Sequence, residues 1–308
     1  MYIIRGIGNL PDRFRGGAVT IGNFDGVHLG HQAIFARLRR LAAHHPGAPT
    51  LAVTFEPHPL RLLDPSKAPV RITGVRGKSR WMERHGVDAM FILQFNRTLA
   101  AMEAERFVRT ILADGLDARE VLVGDNFRFG AGGKGHVPLL EELGIGFGFG
   151  VHKQSLHQVD GQPVSSTRIR QAVGEGDFAT AERLLGRSFE IEGRVGRGQQ
   201  RGKGLGFPTA NLTLSGLLHP PPGVYVVEGR VDGGWLPGVA NLGRNPTFGD
   251  VGLGLETHLL APCGNLYRKV LRVRFRKRLR GEVRFSGPQA LVEQISKDVA
   301  QAQAFFAI

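Results

Sequence analysis

Along the first half of the chain, short apolar runs at residues 18–24, 50–55, 89–95 and 120–127 each break into a polar loop. Between them, residues 32–43, 77–85 and 103–112 repeat apolar positions at helical spacing. Strands alternating with helices predict parallel pairing through right-handed crossovers, hence an α/β doubly wound parallel sheet. Ligands of such sheets bind beyond the carboxyl ends of the strands, where the four polar loops converge. Residues 165–185 read as one or two helices ending at Gly186, and there the pattern changes. From 189 onward the apolar segments are short, alternating and punctuated by glycine, at 189–195, 224–231, 238–242, 255–260 and 270–275, which predicts a small antiparallel β-barrel. A last helix fits 289–306, where Leu291, Ile295, Val299, Ala302 and Phe306 form one stripe able to cover the barrel. The expected domains are residues 1–186 and 187–308.

Composition sharpens this. With 308 residues, 42% of them hydrophobic, the chain can build two cores and is not disordered throughout. Lys and Arg number 40 against 27 acids, a net charge of +13, which points to anionic partners: nucleic acid, acidic lipid or phosphorylated metabolites. The second half is the more basic, at +8 for residues 187–308 against +5 for 1–186. The basic run from Arg272 to Arg280 reads as the solvated face of an edge strand that deters pairing. Cys263 is the single cysteine, so no intramolecular disulfide or cysteine metal cluster can form, which suits a reducing cytoplasm. Charge arrives at Arg5, too early for a secretory core, and no run approaches the roughly 18 apolar residues of a membrane span. A soluble, cytoplasmic protein with no membrane partner is expected.

The strongest local signal is Gly22-Asn23-Phe24-Asp25-Gly26-Val27-His28-Leu29-Gly30-His31, directly after a strand and before a helix. A helix opening near Leu29 offers unpaired N–H groups and a positive dipole end to an anion. His28 and His31 share a face, with Cβ atoms roughly 5–6 Å apart, and can donate to phosphoryl oxygens as charge builds. The plainer reading has one histidine capping the helix and the other at the surface; the strand, glycine turn and helix favour phosphate. Gly30 lets backbone approach closely. A second segment, Ser165-Ser166-Thr167-Arg168-Ile169-Arg170, can cap a helix or bind phosphate by the same geometry. A third, Gly124-Asp125-Asn126-Phe127-Arg128-Phe129, follows another strand, and Asn126 there has no obvious structural duty.

Together these segments resemble the nucleotidylyltransferases that carry the His-x-Gly-His signature, most closely their flavin-adenylating branch. The resemblance implies that His28, His31, Gly22, Phe24, Gly30, Asn126, Ser166, Thr167 and Arg170 hold ATP or its phosphates while an FMN phosphate attacks the α-phosphorus and pyrophosphate leaves. Pro163 departs from the pattern, standing where relatives often carry a basic residue. Thr54-Phe55-Glu56-Pro57-His58-Pro59 is similar to the loop that borders flavin, which implies flavin contacts for Phe55, Pro57, Pro59 and Phe127. Phe24, Phe55, Phe95 and Phe127 all end strands on the ligand side, where they can stack on a heterocycle or serve as core.

In the second half, residues 196–206 alternate glycine with basic side chains and precede Phe207-Pro208-Thr209-Ala210-Asn211. Lys203 lacks a following Ser or Thr, so this is no Walker A loop; by composition it is a basic linker or an RNA-binding loop. Residues 204–211, Pro222-Gly223-Val224-Tyr225, residues 238–243, Asn245-Pro246-Thr247-Phe248 and Leu255-Glu256-Thr257-His258 together resemble riboflavin kinase. That resemblance implies Mg²⁺ and ATP-phosphate binding by Thr209 and Asn211, phosphate contacts from Lys203 and Gly204, and Glu256 as the base for the riboflavin hydroxyl. Residues 261–268 depart from the family, lacking its usual acids and Leu-Tyr-Gly turn. The whole chain is thus similar to the bifunctional bacterial riboflavin kinase/FAD synthetases, with riboflavin, FMN and ATP as partners and no nucleic acid. Two rivals stand beside this: a nucleotidylyltransferase for another phosphorylated acceptor, and a basic cytosolic RNA-binding protein whose affinity would fall steeply with salt.

Overall fold

A computed structural model describes residues 1–197, 204, 206–214, 216–244 and 253–308. It forms two compact units, Met1–Pro69 with Val75–Ser165, and Val70–Gly74 with Ser166–Ile308. In chain order the first unit holds β1 (Tyr2–Arg5), β2 (Ala18–Ile21), α1 (Leu29–Ala42), β3 (Thr50–Glu56), α2 (Leu60–Leu63), α3 (Val75–Arg84), β4 (Ala89–Gln94), α4 (Arg97–Ala100), α5 (Ala104–Phe107), β5 (Glu120–Gly124), α6 (Val137–Phe147) and β6 (Gly150–Gln154), followed by a small hairpin of β7 (Gln158–Val159) and β8 (Gln162–Pro163). The six long strands make one parallel sheet in the order β1-β4-β3-β2-β5-β6.

Both faces of this sheet are covered, which is why its strands are apolar at successive positions rather than alternate ones. Val19, Val53, Phe91 and Val121 pack against Phe107, Ile111, Leu112 and Leu140 on one face. Their strand neighbours Ala52 and Met90 meet Phe35, Trp81 and Met82 on the other, and Ala18 and Leu122 meet Leu38 and Leu41. The expected doubly wound sheet is therefore present. The helix expected over 103–112 is α5 continued by a wider π-turn at Val108–Ala113. β1 and β6 are the sheet's edges: in β1, Tyr-Ile-Ile-Arg, Tyr2 and Ile3 are exposed and only Ile4 is buried, and β6 reads Gly-Val-His-Lys-Gln. From β2 the chain winds outward through β3 and β4, then returns to place β5 on the other side of β2. The strand order reverses there, so the crevice for a ligand lies beyond the carboxyl ends of β2 and β5.

The second unit comprises α7 (Ser166–Glu175), α8 (Phe178–Leu185), β9 (Glu190–Gly196), β10 (Ala210–Thr213), β11 (Gly223–Val231), β12 (Gly234–Arg244), β13 (Leu253–Leu259), β14 (Val270–Arg280) and α9 (Pro288–Phe306). Its strands close an antiparallel barrel in the order β10-β13-β12-β11-β14-β9. Val299, Ala302 and Phe306 of α9 cover Val224, Val226 and Val239, as the stripe predicts. The helices at 166–185 pack with the barrel: Phe178 stacks on Phe275 at 5.6 Å and meets Tyr225 edge-on at 5.8 Å between ring centres. The break between compact units thus falls at Ser165, whereas the sequence pattern changes at Gly186, which ends α8 with φ of 67°.

One expectation is overturned. β14 is no edge strand, because it pairs with β11 on one side and β9 on the other. Its arginines also find partners, although Arg276, Lys277 and Arg278 keep the exposed face that the sequence suggests. Arg272 makes a bidentate pair with buried Glu190, Nη2 to Oε2 at 2.7 Å and Nε to Oε1 at 3.2 Å, and Arg280 grips Asp298 of α9 at 2.7 Å. Arg276 reaches Glu228 at 3.5 Å, and the Arg274 guanidinium lies 3.5 Å over the Trp235 ring. The buried Arg272–Glu190 pair gains little net stability but penalises any other register.

Candidate active sites

β2 ends at Ile21, and the chain turns sharply before α1 begins at Leu29. Phe24 and Val27 take positive φ of 47° and 44°, flanking Gly26 at 84°. Such conformations cost on the order of 1–3 kcal/mol at each non-glycine residue and persist only where the surroundings hold them. Phe24 is 2% exposed; its ring packs on Phe35 and, edge-on at 5.3 Å, on His31. A side chain at Gly22 would press on that ring, at 3.1 Å.

His28 is the cap of α1: its Nδ1 accepts the backbone N–H of His31 at 3.4 Å, which puts the proton of the neutral ring on Nε2. The two imidazoles stack with centroids 3.6 Å apart and planes 20° from parallel. Capping and pairing therefore coexist, and both rings sit at the positive end of the helix dipole. Gly30 makes room for the His28 ring, since a Cβ there would lie 3.1 Å from His28 Cε1. Asn126 is exposed in the loop after β5, the other strand of the switch point, and Phe127 beside it stacks on Phe129 at 5.6 Å.

The loop after β3 completes this edge. Phe55 meets Phe95 edge-on at 5.9 Å, Pro57 is exposed, and Pro59 precedes α2. His58 Nδ1 accepts the N–H of Leu60 at 3.2 Å, and its Nε2 lies 3.2 Å from the Asn23 amide. Sequence reasoning gave no role to Asn23, His58, Thr54 or the buried Lys78, which meet here; a lysine three positions before Trp81 on the apolar side of a helix was the available signal. A hollow of about 640 Å³ lined by Tyr2, Arg13, Pro49 and Asp88 opens at the starts of β1, β3 and β4, the edge opposite to the histidines.

In the second unit Ser166 opens α7, Thr167 is exposed, and Arg170 donates through Nε to the Val70 carbonyl at 2.8 Å. Pro163 pairs with Gln158 in the small hairpin of the first unit. On the barrel, Asn211, Glu256 and Asn241 stand opposite one another on β10, β13 and β12, so their side chains share one face. His258, two residues along β13, donates from Nδ1 to the Pro208 carbonyl at 2.9 Å and meets Phe207 edge-on, tying the Phe-Pro-Thr segment to that face. Asn211 is 6% exposed; its Nδ2 lies 3.4 Å from Thr209 Oγ1, and its buried Oδ1 has no hydrogen-bond partner. Gly204 is exposed; Lys203, Thr247 and most of the glycine-rich loop lie outside the described residues.

One chain thus carries a histidine pair at the switch point of a parallel sheet and a barrel with a carboxylate and amides on one face. Comparison with known proteins gives the family. A FAD synthetase model matches residues 11–168 and a riboflavin kinase model residues 185–306. A bifunctional riboflavin kinase/FMN adenylyltransferase of Pseudomonas fluorescens is 45% identical over 308 residues, 100% of this chain and 98% of that protein. One from Escherichia coli K12 is 41% identical over 310 residues, covering 100% and 99%. The chain belongs to the bifunctional riboflavin kinase/FMN adenylyltransferases. A crystal structure described as a macrolide-efflux protein from Streptococcus pneumoniae is similar over 98% of this chain and 99% of that one, with a TM-score of 0.83 and 28% identity. Among the described residues of the present chain, no helix is long and apolar enough to cross a membrane.

Proposed function

We propose that the chain makes FAD in two steps: residues 187–308 phosphorylate riboflavin to FMN with ATP, and residues 1–186 transfer an adenylyl group from a second ATP to FMN, releasing pyrophosphate. The stacked His28–His31 pair at the head of α1 carries the second assignment. Adenylyl transfer needs positioning and charge stabilisation rather than a covalent nucleophile: a phosphate oxygen of FMN forms a bond to the α-phosphorus as the bond to pyrophosphate breaks. Ring N–H groups of His28 and His31 donate to phosphoryl oxygens whose charge grows along that path. Phe24, behind His31, and Gly22 and Gly30, which give the rings space, act through the histidines. Asn126 is the polar contact from the loop after β5, and Phe55, Pro57, Pro59 and Phe127 line the flavin side. At the head of α7, Ser166, Thr167 and Arg170 bind polyphosphate.

In the kinase reaction Glu256 accepts the proton of the attacking primary hydroxyl, whose oxygen bonds to the γ-phosphorus as ADP leaves. The orphaned, buried Asn211 Oδ1 beside the Thr209 hydroxyl fits a hard cation, which suits Mg²⁺. Bound there, Mg²⁺ would neutralise phosphate charge. Lys203 and Gly204 supply further phosphate contacts. The chain works in the cytoplasm without nucleic acid or membrane as partner. Mass analysis of products from riboflavin, ATP and Mg²⁺ tests the scheme. His28→Ala with His31→Ala should stop FAD formation while FMN accumulates, and Glu256→Ala should stop FMN formation while supplied FMN still becomes FAD. Loss of FMN formation in the double-histidine variant, or failure of the Glu256 variant to convert supplied FMN to FAD, would break the division of labour.

A further inference from the structure

Lys78 is 6% exposed on α3, on the same side as buried Trp81 and Met82. Lysine is seldom buried, because its ammonium loses hydration that only good acceptors restore. A methionine would fill this space without that penalty. The ammonium donates to the Asn23 carbonyl at 2.8 Å and to Thr54 Oγ1 at 3.3 Å, and the Thr54 hydroxyl, 1% exposed, donates to the same carbonyl at 3.2 Å. Both acceptors stand at the carboxyl edge of the sheet, one just past β2 and one near the end of β3.

Asn23 is the residue where this edge is knotted. Its carbonyl takes two donors, its side chain reaches His58 in the loop after β3, and its peptide leads into the turn with positive φ at Phe24 and Val27 that ends in His28. A turn so strained holds its shape only if its start is fixed. We infer that Lys78 is a positioning residue for adenylyl transfer: by fixing the Asn23 carbonyl it sets where the His28–His31 pair stands and keeps that turn in register with the His58 loop. It touches no reacting atom in this scheme. The inference rests on the assignment of adenylyl transfer to the first unit.

The test uses the full chain, whose two activities control for each other. Lys78→Met keeps the bulk and removes the charge. FAD formation from FMN and ATP should lose at least tenfold in kcat, with KM for ATP and FMN within about threefold of wild type, because misplacing catalytic groups costs rate before binding. FMN formation should stay within twofold. Thr54→Val, which keeps Lys78 and its bond to Asn23, should show the same split with a smaller loss, and it serves if Lys78→Met does not fold. Wild-type kcat for FAD in Lys78→Met, or in Thr54→Val where the first variant is insoluble, overturns the inference. So does a parallel fall of both activities with melting temperature, which would make Lys78 a general stabiliser. A wild-type chain that forms FMN but no FAD overturns instead the adenylyl-transfer assignment beneath it.

Discussion

Gly30 shows what one missing side chain does. It stands in the first turn of α1, where alanine would be the better helix former by about 1 kcal/mol. Yet an added Cβ would lie 3.1–3.2 Å from the His28 ring, tighter than normal contact. Gly30→Ala should therefore keep or raise the melting temperature while FAD formation falls about 10- to 100-fold, since displacement of a catalytic group by a fraction of an ångström has effects of that size. Equal FAD rates in the two proteins would show that His28 has room to spare. The sequence made Gly30 visible, but for a different reason. Read alone, the glycine allowed backbone to approach a ligand; in the fold it gives space to an imidazole from its own helix cap. The capping role of His28 and its stacking on His31 were both open from sequence, and only the ring geometry shows that one arrangement satisfies both.

Between elements, Glu120 joins three that are distant in sequence. At the start of β5 its carboxylate accepts from His45 Nε2, just past α1, at 2.9 Å, and from His152 Nε2, on β6, at 2.7 Å. Burial works against its ionisation, but the two imidazole hydrogen bonds outweigh it and hold the carboxyl below its ordinary value. A carboxyl depressed in the folded state contributes stability that is present above its unfolded value, roughly pH 4.3, and lost as pH falls through the lower folded value. Glu120→Gln should melt below wild type near neutrality, and the gap should close from about pH 4.3 downward. A gap of constant size down to about pH 3 would show that the imidazole bonds leave ionised and neutral carboxyl equally stable. Nothing in the sequence pattern marks this trio, because its members lie 75 and 32 residues apart; β5–β6 pairing brings His152 to Glu120, and the loop after α1 brings His45. The same holds for the basic run of β14, where charge suggested an exposed edge and barrel closure supplied Glu190, Glu228 and Trp235, and α9 supplied Asp298, as partners.

At the scale of the whole chain, α7 and α8 belong by packing to the barrel unit, although the sequence changes character after them. Phe178 is 7% exposed against Phe275 and Tyr225. A fragment of residues 187–308 loses that ring and exposes its partners, a defect of about 3–5 kcal/mol if it resembles a buried Phe→Ala change. A fragment beginning at Ser166 should therefore melt well above one beginning at Arg187, and the longer piece should be the better source of FMN-forming activity. Equal melting temperatures would mean that the barrel closes without α8. The more basic second half of the chain coincides with the riboflavin kinase match over residues 185–306.

The sequence by itself determined the two architectures, because burying a sheet on both faces or closing a barrel demands hydrophobic periods that cannot be hidden. It also displayed the local pairing of His28 with His31 around a helix start, while Thr209 and Asn211 were marked only by the family resemblance. The tertiary structure decided everything that depends on distant segments meeting: the reversal of strand order that brings the loops after β2 and β5 to one crevice, the row of Asn211, Glu256 and Asn241 across three strands, and the grip of Lys78 on Asn23. Side-chain periodicity reports what an element turns toward the core, whereas a hydrogen bond between α3 and the end of β2 leaves no periodic trace in either.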